Sequence, residues 1–149
     1  MTYQVPPIGF FHQELNRYFR FLTDEFGFVR AQDHLIEPRA IFQNEDLDLW
    51  IGNDKGTYDA IFWLKKQMPW LLPYESKMFL LNDIVRLKAK EEFQGLQRRL
   101  SAGGMTSEQE CSVMFQYFAR SLTTHCIPIL RGDYRLLQEV YVRRANIVR

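Results

Sequence analysis

Apolar positions along the chain follow two different periods. From Ile8 to Phe26 they recur at Phe11, Leu15, Tyr18, Phe19, Leu22 and Phe26, with Gln13, Glu14, Asn16, Arg17 and Arg20 between them. That spacing predicts an amphipathic helix, and Gly27 directly after it predicts a left-handed stop. Between Arg39 and Lys65 the period falls to two. Arg39 to Gln43 reads as a strand and Asn44-Glu45 as a turn. Leu47, Leu49 and Ile51 then alternate with Asp46, Asp48, Trp50 and Gly52, so Asp46 to Asn53 reads as a half-buried strand. Tyr58 to Lys65, almost continuously apolar but for Asp59, closes a three-stranded antiparallel meander. The polar segment Phe28 to Pro38 reads as a loop or a short edge strand.

Pro69 and Pro73 mark Met68 to Tyr74 as a crossing loop. Helical spacing returns at Glu75 and runs to near Leu100 through Phe79, Leu80, Ile84, Leu87, Phe93 and Leu96, with Gly95 weakening its second half. Ser101 to Gly104 breaks the pattern. Thr106 or Ser107, with Gln109 or Glu110 three residues on, offers a capping box for a helix that buries Cys111, Met114, Phe115, Phe118, Leu122 and Cys126. Pro128 and Gly132 end that helix, and Asp133 is placed to cap a last one through Leu136, Leu137, Val140 and Tyr141. The expected fold is α+β: an N-terminal helix, a three-stranded antiparallel meander, then three C-terminal helices packed on the sheet. It forms one domain over residues 1–149, with helix and meander in 1–67, the loop in 68–74 and the helical part in 75–149.

The hairpin turn between the second and third strands decides which side chains share a face, and the sequence admits two solutions. A turn over Asn53 to Gly56 with Gly56 left-handed pairs Asn53 with Thr57. Leu47, Leu49 and Ile51 then lie with Asp59, Ile61 and Trp63, and Asp48 and Trp50 lie with Tyr58, Ala60 and Phe62. A two-residue turn at Asp54-Lys55 shifts the register by one and exchanges the faces of the third strand. Trp50, Ile61 and Trp63 then gather beside Asp46, Asp48 and Asp59. In either register the outer face is too aromatic for plain solvent and too acidic for a dry core. One reading covers it with a C-terminal helix or the Pro-rich loop. The other makes it a partner site, with aromatic anchors ringed by carboxylates for a basic protein.

Composition narrows the function classes. An aromatic share of 15% supplies much buried area, and some of it is expected at an interface. The net charge of +1 excludes a global field that would favour nucleic acid or an acidic membrane. The charge is divided, however, at −4 over residues 1–75 and +5 over residues 76–149. Cys111 and Cys126 fall on one predicted helix, roughly 22 Å apart by helical rise, beyond disulfide reach. They read as reduced thiols, which fits a cytoplasmic protein. The N-terminus lacks the basic and apolar runs of a secretory signal, and no apolar stretch is long enough to span a membrane.

No catalytic or metal motif emerges. His12, His34 and His125 are far apart and have no Cys or His at ligand spacing, so neither a metal nor a cofactor is expected. His34, between Asp33 and Glu37, is the one trio an enzyme could use. Gly103-Gly104 lacks the Lys and Ser/Thr of a phosphate loop. Arg131, Arg135, Arg143, Arg144 and Arg149 form a basic C-terminal group, but no aromatic platform is interleaved with them, and nucleic acid is not expected.

The runs FRFLTDEFGFVR, FQNEDLDLWIGNDKGTYDAIFWL and ILRGDYRLLQEVYVRR, taken in that order, resemble the layout of small bacterial α+β immunity proteins of polymorphic-toxin and contact-dependent inhibition systems. The matching positions are Phe21, Leu22, Gly27 and Phe28 at the end of a helix, Asp46 to Leu64 in a strand pair, and Leu130, Gly132 and Asp133 at the step into a last helix. The resemblance implies a non-catalytic protein that binds and neutralises a cognate toxin by occluding it. The residues expected to carry that contact are Asp46, Asp48, Trp50, Asp59 and Trp63. The protein would be a monomer or a homodimer, and a dimer or adaptor could pair through the same face. The alternative is a small enzyme or ligand sensor with a pocket between the sheet and the C-terminal helices.

Overall fold

A computed structural model describes residues 5–31 and 38–148. Helix α1, Ile8–Phe26, runs as its pattern predicts and buries Phe11, Leu15, Phe19 and Leu22 on one stripe. Gly27 stops it at φ 72°, and the N–H groups of Gly27 and Phe28 both close on the Leu22 carbonyl.

Among the described residues five antiparallel strands follow, in the spatial order β1-β2-β3-β4-β5. The expected meander is their centre: β2 Arg39–Gln43, β3 Leu47–Asp54 and β4 Thr57–Leu64. The short β1, Val29–Arg30, pairs with β2 on one side. On the other side β5, Met78–Leu80, pairs with β4. That corrects the expectation of helix from Glu75. Met78, Phe79 and Leu80 satisfy a helical period as well as a strand period, and the open edge of β4 decides between them. Pairing with β4 aligns Phe79 with Phe62 on the buried face.

Helix α2 therefore begins at Leu81 and extends to Ser101, with a break at Ala89 (φ −153°, ψ 62°) and not at Gly95. Helix α3, Ser107–His125, opens on the expected capping box: Thr106 Oγ1 accepts from Gln109 N at 3.1 Å, and Gln109 Oε1 accepts from Thr106 N at 2.9 Å. Pro128 does not simply end α3; it sits in the first turn of a separate short helix, α4 Ile127–Leu130. Helix α5 is Arg135–Val148, and the carboxylate of Asp133 accepts the Arg135 N–H at 3.1 Å. The C-terminal part thus holds four helices where three were expected.

The five helices among the described residues send buried side chains to one core that includes the inner face of the sheet, with Phe42, Leu47, Leu49, Ile51, Tyr58, Phe62 and Phe79. Phe115 of α3 sits at its centre, edge-on to Phe11, Phe19 and Tyr58 with centroids 5.3, 5.3 and 5.9 Å away. The Pro-rich loop joins the same side, since Trp70 packs on Phe79 at 6.1 Å and on Tyr141 at 5.8 Å.

The hairpin adopts neither turn the sequence offered. Its two central residues are Lys55 (φ 54°) and Gly56 (φ 89°), so Asp54 pairs with Thr57 and Asn53 with Tyr58. Two left-handed residues match the right-handed twist of paired strands, and Asn53 Oδ1 accepts the Gly56 N–H at 2.8 Å. The resulting faces are those of the second solution. The physical reason lies in the core: this register buries Tyr58, Ala60, Phe62 and Leu64, whereas the other would bury the Asp59 carboxylate, at several kcal/mol if unpaired (roughly, for a charge leaving water).

Candidate functional site on the outer face of the sheet

The outer face carries Ile41 and Gln43 from β2, Asp48, Trp50 and Gly52 from β3, Asp59, Ile61 and Trp63 from β4, and Met78 from β5. All are half-buried, and none belongs to the core cluster. The Pro-rich loop turns Trp70 toward the inner side, against Phe79 and Tyr141.

Cross-strand pairing places Asp48 opposite Trp63, Trp50 opposite Ile61 and Asp59 opposite Gly52. Trp50 and Trp63 are therefore diagonal neighbours, with ring centroids 5.5 Å apart and planes inclined at 43°. Both indole Nε1 atoms are buried without a hydrogen-bond acceptor. A buried donor left unpaired costs roughly 1–3 kcal/mol, so this pair is not the lowest-energy filling for a purely structural surface. The guanidinium of Arg39 lies 4.8 Å from the Trp50 ring centroid.

The carboxylates of the face are in different states. Asp48 is neutralised locally: Lys65 Nζ lies 3.1 Å from Oδ1, and Gln43 Nε2 donates to the same oxygen at 3.2 Å. Asp59 forms no ion pair among the described residues. Its carboxyl is held above the ordinary 3.8 by burial first and by the charge of Asp54 second. Asp54 and Asp59 border a groove of about 580 Å³ whose other walls include Trp50, Ile61, Lys55 and Val5. Gly52 shapes this groove, because a Cβ there would meet Pro38 O at 2.7 Å and Arg39 Cα at 2.9 Å. The Asn53 N–H donates to the same Pro38 carbonyl at 2.8 Å.

The structure thus brings together Asp48, Trp50, Asp59 and Trp63. It separates Asp46. That residue lies in the β2–β3 turn, where Asn44 Oδ1 accepts the N–H groups of Asp46 and Leu47 at 3.0 and 2.8 Å. It borders a different cleft of about 400 Å³ with Glu25, Arg131 and Tyr134. There burial, and then the charge of Asp46, hold the Tyr134 hydroxyl above its ordinary value. The two-residue alternation had carried Asp46 onto the sheet face; the side-chain turn at Asn44 removes it. Gly52, Asp54, Lys65 and Arg39 complete the face without having been singled out. A glycine at an outward position of a strand is the one sequence signal that marked a close backbone approach.

Asp33, His34 and Glu37, the trio an enzyme could use, lie outside the described residues. His12 Nδ1 is 2.6 Å from the Arg30 guanidinium, and His125 Nε2 is 3.2 Å from Glu92. Among the described residues no group of three His, Cys, Asp or Glu side chains could hold a metal ion. No helix among them is long and apolar enough to cross a membrane. Of the basic C-terminal group, Arg135 pairs with Asp133 at 2.6 Å, Arg144 donates to Met78 O at 3.0 Å, and Arg131 lies 5.8 Å from the Phe26 ring centroid. Arg149 lies outside the described residues. No protein-family model, curated protein or solved structure matches the chain. The likeness to immunity proteins therefore rests on the layout of its sequence.

Proposed function

We propose that this protein is a non-catalytic binding domain of the immunity type, which neutralises a cognate toxin by seating the outer face of its sheet on a basic surface of that partner. The observation that carries the reading is the Trp50–Trp63 pair, a large aromatic anchor that stands apart from the core on a face bearing Asp48, Asp54 and Asp59. Tryptophan is enriched among residues whose truncation costs most at interfaces. Carboxylates around such an anchor steer a basic partner and select its orientation. A binder of this kind works by occlusion and needs no reacting group.

The test joins capture to function. The tagged protein is purified from extract of the cells that make it, and a stoichiometric companion is expressed alone and with it. The reading expects the companion to arrest growth, the wild-type protein to restore it, and the Trp50→Ala/Trp63→Ala variant to fail while melting cooperatively. Growth restored equally by the double variant would remove the face from the mechanism. A companion that is harmless when expressed would remove the toxin.

A further inference from the structure

A second concavity, away from the outer face of the sheet, lies between α2 and α5. Both helices present the same spacing to it. Asp83, Arg86 and Leu87 stand at i, i+3 and i+4 on α2, and Val140, Arg143 and Arg144 stand at i, i+3 and i+4 on α5, so each trio shares one helix face. Together they border a cleft of about 230 Å³. Three guanidinium groups face one carboxylate there, a local excess of two positive charges.

That excess is not neutralised within the fold. Asp83 comes no closer than 3.8 Å to Arg86, longer than a hydrogen bond. Arg86 lies instead over the Phe93 ring, 4.3 Å from its centroid. Arg144 is half-buried; its Nη1 donates to the Met78 carbonyl at 3.0 Å, and its guanidinium lies 4.7 Å from the Phe79 centroid. These contacts hold two of the three guanidinium groups in place without supplying a second negative charge. Arg143 makes no hydrogen bond or ion pair among the described residues. On a plain solvated helix face each arginine would extend into water, whereas here two are folded back onto aromatic rings beside the cleft.

We infer that this cleft binds the phosphate group of a small phosphate monoester, with Arg86, Arg143 and Arg144 as its counter-ions and Leu87 and Val140 against the carbon atoms next to the ester oxygen. The site is independent of the docking reading of the sheet. Its charge selects the ligand: a phosphate monoester carries roughly −1.5 to −2 at neutral pH and balances the excess, while a carboxylate brings a single charge. Guanidinium forks also match phosphate oxygens in pairs. Size limits the rest of the molecule. About 230 Å³ falls below the roughly 300–1,000 Å³ of pockets that enclose drug-sized ligands, so the cleft takes a phosphate and a few carbons. The aliphatic wall of Leu87 and Val140 separates an ester from inorganic phosphate, which has no carbon to cover it.

The test titrates the intact protein with propyl phosphate, inorganic phosphate and propanesulfonate at constant ionic strength, followed by ¹H–¹⁵N NMR. Propanesulfonate is the monoanion of similar shape. Saturable shifts are expected at the amides of Leu87, Arg143 and Arg144 for both phosphates and not for the sulfonate, with propyl phosphate bound about tenfold more tightly than inorganic phosphate. Arg143→Gln should weaken propyl phosphate about tenfold, as loss of a charged donor does. It should leave Tm unchanged, because Arg143 holds nothing in the fold. Asp83→Asn should act in the opposite direction and tighten binding, since it removes the one carboxylate. Equal shifts from the sulfonate, equal affinity for the two phosphates, unchanged affinity in Arg143→Gln, weaker binding in Asp83→Asn, or shifts confined to other basic surfaces would each overturn the inference.

Discussion

Trp63 and Phe62 are adjacent in β4 and face opposite ways: Phe62 is fully buried against Phe79 and Leu49, while Trp63 stands on the outer face beside Trp50. The larger ring is the less buried one. Phe62→Ala should therefore cost about 3–5 kcal/mol, the cavity penalty of a core aromatic. Trp63→Ala should cost only about 1–2 kcal/mol from partly buried area. Chemical denaturation of the two variants measures both, and a Trp63→Ala loss as large as that of Phe62→Ala would place the tryptophan in the core.

Asp59 gives a dependence on pH of defined sign. Its carboxyl is raised in the fold by burial and by Asp54, so the native state binds that proton more tightly than the unfolded chain. This contribution to stability falls as pH rises from below 3.8, the ordinary value, through the folded value, and is constant above it. Asp59→Asn removes the penalty. At neutral pH the variant should melt above the wild type, with the gap closing in acid. Melting curves that coincide at neutral pH would show that the carboxylate is not held at a cost.

Gly52 is required by a contact between backbones and not by its own dihedral angles. Because a Cβ would meet Pro38 O and Arg39 Cα, both backbone atoms, the strain cannot be relieved by rotating a side chain. Gly52→Ala should cost about 1–3 kcal/mol, as overpacking does, lowering Tm by roughly 2–4 °C per kcal/mol for a chain of this size. A variant with wild-type Tm would show that the strand start is not held there.

Both cysteines are free thiols. Burial pushes Cys111 up to about 11 and Cys126 up to about 12. The thiolate is the reactive form, so iodoacetamide at mildly alkaline pH should leave the native protein almost unmodified and label both sites once it is unfolded in guanidinium chloride. Mass spectrometry reads the count. Rapid labelling of either in the native state would mean that the α3 face opens locally.

Several elements were legible in the chain because they are decided within a turn or two. Helix α1 and its glycine stop follow from spacing and one left-handed position. Strand β2 follows from its bounds of period two, and the start of α3 from the reciprocal bonds of Thr106 and Gln109. Four of the five expected site residues also meet: residues two apart in a strand share a face, and the register that buries Tyr58 and Phe62 turns Asp59 and Trp63 to the side of Asp48 and Trp50. The exception, Asp46, was lost to a local event, the Asn44 side chain bonding the next two N–H groups, which alternation alone does not reveal.

By itself, then, the sequence determined the α+β class, the central meander and the presence of an aromatic, acidic sheet face. Only the tertiary structure decided that Met78–Leu80 is a strand, that α2 breaks at Ala89, and that Lys55-Gly56 forms the turn. The reason is one of range. Periodicity and capping are satisfied by neighbours along the chain. Register and strand identity are settled by what distant segments leave to be filled: the open edge of β4, and the aromatic core into which Phe11, Phe19 and Phe115 point. That core took Tyr58 and Phe62 and left Asp59 and Trp63 outside.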